Sequence, residues 1–170
     1  MQRFNRLSDS GEFSIELFEI SSLDAEIRAD RLCEALLRIF CRHQAEEGGL
    51  RPEVAGAQAR GADYLLREFI IGDRRENIFK VAPERIRQFA GNWYITKTLE
   101  PNLKELQAIL QGTAEFYGFL SNFGLYPAEQ TAQVRSFCHD LDYYQQRIDD
   151  YWAINEDGFS AWNSACPVEP

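Results

Sequence analysis

The sequence predicts an all-α, single-domain bundle of about five helices with a short N-terminal extended segment. Three observations carry this. Apolar residues recur every three or four positions through most of the chain. Proline, serine or asparagine stands near the start of each such series, where helices begin. Only one short stretch, FSIELFEI at 13–20, alternates like a strand, with Phe13, Ile15 and Leu17 between Ser14 and Glu16. A chain of 170 residues that is 45% apolar buries a core without staples. No repeat or low-complexity linker divides it. Residues 1–170 therefore read as one domain, with 1–23 as an arm and 155–170 as an irregular tail.

Each element has a local reason. Residues 13–20 are expected to lie as an extended arm. The first helix runs from about Asp24 to Glu47, capped by Ser21 or Ser22, with Ile27, Leu32, Cys33, Leu36, Leu37, Ile39 and Phe40 as its stripe. Gly48 and Gly49 stop it. Pro52 opens the second helix, whose buried face is Leu65, Leu66, Phe69 and Ile70. Its Gly56 and Gly61 cost helix propensity but permit a close neighbour. After an irregular connection at 73–82, Pro83 opens the third helix, with Ile86, Phe89, Ala90 and Trp93 on one face. It is carried to about Leu99, although Tyr94–Thr98 is strand-prone and the competing picture pairs 94–98 with 13–19. Pro101 ends it. Asn102 and Glu105 form a capping pair for the fourth helix, to about Asn122, with Leu99 as a staple-like contact across the turn. After the turn NFGLYP, a single last helix is expected from Pro127 to about Ile154. Its series Val134, Phe137, Leu141, Tyr144, Ile148 and Tyr151 has heptad spacing.

Net charge is −9. Residues 1–50 hold 6 basic and 10 acidic groups, 51–97 hold 9 and 6, and 98–170 hold 3 and 11. The overall acidity disfavours nucleic acid and anionic membrane as partners. The basic middle either faces the acidic C-terminal helix or meets an acidic partner or an anionic small ligand. The four cysteines, Cys33, Cys41, Cys138 and Cys166, include no C-x-x-C pair, which fits reduced thiols in the cytoplasm. The polar start MQRFNRLSDSGEF is unlike a signal peptide, and no apolar run is long enough to span a membrane.

No phosphate-binding glycine loop, Glu-x-x-His pair or Gly-x-Ser-x-Gly motif occurs. No metal or cofactor is expected. The leading functional expectation is a noncatalytic protein–protein interaction or adaptor domain, meeting a protein partner or a second copy. Arg74, Arg75 and Lys97 would make its polar contacts, and Trp93, Tyr94 and Trp152 its aromatic ones. The alternative is a small helical enzyme or ligand-binding protein with an interhelical pocket, using Glu115, His139 and Asp142. A third reading is a nucleic-acid-binding regulator using Arg74, Arg75, Arg85 and Arg87.

Overall fold

The computed structural model describes residues 13–170. The first twelve residues of the expected arm lie outside them. Among the described residues there are seven helices and no strand. These are α1 (Leu23–Glu46), α2 (52–73), α3 (84–97), α4 (Leu103–Asn122), α5 (Ala128–His139), α6 (Leu141–Trp152) and α7 (Phe159–Ala165). The all-α class is as the sequence predicts. The higher helix count comes from a break in the expected last helix and from a short helix in the expected irregular tail.

The predicted caps form. The Ser22 side chain accepts from the Ala25 amide at 3.1 Å, and Asn102 Oδ1 accepts from the Glu105 amide at 2.9 Å. The α1 stripe is buried at Cys33, Leu36, Leu37 and Phe40, but Ile27 is exposed. Leu99 is 95% exposed, so it makes no staple. Tyr94 does that joining instead. Its hydroxyl donates to the Asn102 carbonyl and accepts from the Asn102 amide, each at 3.2 Å, across the Pro101 corner.

Residues 13–20 form no strand. Ile15–Phe18 is a 3₁₀ turn that buries Phe18 edge-on against Phe79, with ring centroids 4.8 Å apart. Its carbonyls are taken by side chains rather than a partner strand: Asn77 Nδ2 donates to Ile15 O at 2.8 Å and Arg28 Nε to Leu17 O at 2.9 Å. Residues 94–97 are likewise helical, not half of a ribbon. Tyr94 and Ile95 are fully buried, and that packing overrides their strand preference.

Two helices widen into π geometry, which periodicity did not reveal. Within α2 this is Tyr64–Asp73, and within α3 it is Phe89–Trp93. The widening lets the consecutive Phe69, Ile70 and Ile71 all be buried. It also pulls carbonyls out of the usual ladder.

The expected 127–154 helix breaks at Asp140, where φ is −78° and ψ 52°. Cys138 and Tyr144 are both buried, yet six positions of a straight helix would set them about 120° apart around the axis. The break rotates α6 so that both face the core. The Tyr144 hydroxyl donates to the carbonyl of Phe137 at 2.7 Å across the break.

The core is organised by α2 crossing α4. Gly61 and Gly112 sit at the crossing. A methyl at Gly61 would lie 2.6 Å from the Ala108 carbonyl oxygen. One at Gly112 would lie 3.0 Å from the Ala62 amide nitrogen and overlap the carbonyl of Gln58. The obstructing atoms are backbone and cannot swing away. Gly112→Ala is therefore expected to destabilise by about 2 kcal/mol or more, against the roughly 1 kcal/mol that alanine gains by helix propensity. Urea unfolding measures this; a Gly112→Ala protein as stable as wild type would contradict the crossing.

Candidate functional site

The basic middle does not assemble into an open anion site. Arg74 Nε pairs with Asp73 at 2.9 Å, and its Nη1 donates to the Glu169 carbonyl at 2.7 Å. Arg75 has a left-handed backbone, φ 56°, and reaches Glu26 at 3.3 Å. Arg85 is buried against Glu76, and it also donates to Gln88 and to the Glu169 carbonyl, each at 2.6 Å. Arg87 lies 3.7 Å from Asp140 and over the Tyr143 ring, 4.0 Å from its centroid. Of these, only the Arg87 pair joins the basic middle to the acidic C-terminal helices. With carboxylates on all four arginines, no free basic strip runs across them.

Trp93 and Tyr94 are packing residues here. Trp93 is half-buried and stacks on Phe89 at 5.7 Å, within a cluster that includes Tyr64 and Phe69. Among the described residues its buried Nε1 has no hydrogen-bond partner. Tyr94 is fully buried, and burial pushes its phenol up to about 12. Lys97 is exposed at the end of α3. The guanidinium groups of Arg74 and Arg75 are engaged by carboxylates rather than by Trp93 or Tyr94.

The sequence-predicted pocket residues are brought together in part. Glu115 on α4 and His139 on α5 line one cleft of about 290 Å³, with Arg135, Gln111 and Cys138. Asp142 is exposed on the next helix and does not line it. Among the described residues, no group of three His, Cys, Asp or Glu side chains is arranged to hold a metal. No described helix is long and apolar enough to cross a membrane.

Among the described residues, the most exposed aromatic surface lies at the C-terminal end. Trp152 is 60% and Phe159 48% exposed. Their rings are linked through Tyr151 and Trp162, with centroid steps of 5.9, 5.1 and 5.9 Å. The supporting residue, Arg147, was not singled out by sequence reasoning. It is buried, donates from Nε to the Gly91 carbonyl at 2.8 Å, and lies 4.0 Å from the Trp162 ring centroid. Trp162 Nε1 donates back to the Arg147 carbonyl at 3.0 Å. Asn92, buried in the α3 π segment, donates to Asn163 at 2.8 Å and to the Cys166 carbonyl at 2.7 Å. The signal was available: Arg147 is the lone Lys or Arg between Asp140 and Pro170.

Comparison with known proteins adds no neighbour, since no family, no curated protein and no solved structure matches this chain at a significant level.

All four cysteines are free thiols. Burial raises the pKa of Cys33 and Cys138, the latter to about 12 from an ordinary 9.0. Because the folded value lies above the unfolded one, this contribution to stability is complete below pH 9 and is lost as pH rises to 12. Two outcomes are expected. Stability measured by urea titration falls across that alkaline window. An aromatic disulfide reagent at pH 8 reacts readily with Cys41, which is half-exposed, and slowly with the three buried thiols. Rapid modification of Cys33 in the native state would contradict the packing of α1.

Proposed function

We propose that the chain is a noncatalytic interaction domain of the cytoplasm, and that its C-terminal aromatic face docks a basic partner segment with apolar anchors. The supporting observation is the exposed pair Trp152 and Phe159, joined by ring contacts and held on the buried Trp162. Tyrosine and tryptophan give large contact area for little rotamer entropy, which makes them effective anchors.

Charge selects the occupant. The neighbouring sequence carries Asp149, Asp150, Glu156 and Asp157, and Arg147, the one Lys or Arg from Asp140 to Pro170, is buried. A self-complementary dimer through this face would bring those carboxylates against their own copies, which costs affinity. A lysine- or arginine-rich segment gains from them. Free thiols support the compartment, since oxidising compartments favour disulfides. The paired state of Arg74 and Arg75 makes the basic middle the weaker docking surface.

A fluorescently labelled lysine-rich peptide with leucine anchors tests this by anisotropy. Binding is expected to weaken with added salt, and Trp152→Ala is expected to weaken it about tenfold, roughly 1.4 kcal/mol. Equal affinity for the Trp152→Ala, Phe159→Ala double variant would overturn the proposal, as would equal affinity for a peptide of the same charge without leucines.

A further inference from the structure

The cleft between α4 and α5 continues into a second hollow of about 510 Å³. Arg135 and His139 line both. Glu115 lines only the first, while Ser121 and Asn122 line only the second. The charges are thus laid out in order along one groove: a carboxylate, then a guanidinium with an imidazole, then neutral hydrogen-bonding groups.

Glu115 and Arg135 share the first cleft without forming an ion pair, although six other arginines are paired with carboxylates among the described residues. Gly118 is where the Arg135 guanidinium rests. It lies three residues after Glu115 and therefore on the same side of α4. Lacking a side chain, it lets the Arg135 guanidinium rest against the helix; a methyl there would overlap Nη2 of Arg135. Arg135 and His139 are four apart on α5 and both exposed, so they share the side of that helix that borders the groove. An acid and a base that line one open cleft without pairing leave both charges available to one molecule that carries both signs.

We infer that this groove binds a small zwitterion of the amino-acid class. Its ammonium group sits against Glu115 and its carboxylate against Arg135, with His139 beside it. A polar side chain then reaches toward Ser121 and Asn122. An arginine takes a carboxylate in two parallel hydrogen bonds, which sets the orientation. A simple anion meets Arg135 but is repelled by Glu115, and a simple cation meets the reverse. This site is independent of the aromatic face: Trp152 lies about 16 Å along α6 from Leu141 at the cleft rim, at 1.5 Å per residue.

Amide NMR titration of the full chain tests it, with L-glutamine, acetate and ethylamine as three separate probes. L-glutamine is expected to shift the amides of Glu115, Gly118, Arg135 and His139 saturably, with affinity at least about tenfold above that of either singly charged probe. Glu115→Gln and Arg135→Gln are each expected to weaken L-glutamine about tenfold. Gly118→Ala is expected to do the same by displacing the guanidinium, while its unfolding midpoint stays at or above that of wild type because the obstruction is a flexible side chain. Non-saturating shifts that are alike for the three probes would overturn the inference. So would L-glutamine binding that is unchanged in Glu115→Gln.

Discussion

The contact on which the rest of the molecule depends is backbone against backbone, where α2 crosses α4 at Gly61 and Gly112. Each glycine lies against main-chain atoms of the other helix, so neither position has room for a methyl. This pair is the most extensive helix contact in the protein. It commits one side of α4 to α2 and leaves its other sides to α5 and α6. The same constraint explains why α4 is buried at nearly every position from Gly112 to Leu120, the half-buried Glu115 excepted. Glu115 is thereby the one charged side chain in the otherwise buried 112–120 stretch of α4, at the edge where α5 leaves the groove open.

A second constraint holds the C-terminal end. In the π segment of α3 the Gly91 carbonyl accepts from Arg147, and Asn92 reaches the α7 end through Asn163 and the Cys166 carbonyl. Arg147 is a buried cation with no carboxylate partner among the described residues. Its charge is met by a carbonyl and by the face of Trp162, an interaction worth about 2 kcal/mol when desolvated. Its Nη2 has no hydrogen-bond partner among the described residues, so the arrangement carries a desolvation cost. It fixes Trp162, and through Trp162 the rings of Tyr151 and Phe159. The exposed aromatic face is therefore built on a rigid base rather than on a loose tail.

Much of this was legible in the sequence, in proportion to how local its causes are. Ser22 and Asn102 cap because capping depends on a few adjacent residues. The α1 and α4 stripes follow from regular spacing, and Gly61 of α2 already suggested close approach. The failures have non-local causes. Heptad spacing runs unbroken through Asp140, but the chain breaks there and Cys138 and Tyr144 are both buried on the two sides of the break. The π segments depend on contacts between α2, α3 and their neighbours, which no single-helix period contains. Trp93 and Tyr94 looked like recognition residues because aromatic side chains serve surfaces and cores alike. Glu115 and His139, which the sequence offered together, line one cleft, whereas Arg135 beside them was not legible, because its position over Gly118 depends on two helices meeting.

Residue-resolved native-state hydrogen exchange tests the central role of the α2–α4 crossing most directly. If the crossing is the last structure to open, amides of Ala62 and of 112–114 exchange only through global unfolding, with the full free energy of unfolding. Amides of α7, held by a few polar contacts at the edge, then exchange at a clearly lower free energy. Exchange at the crossing with a lower free energy than in α7 would contradict the account.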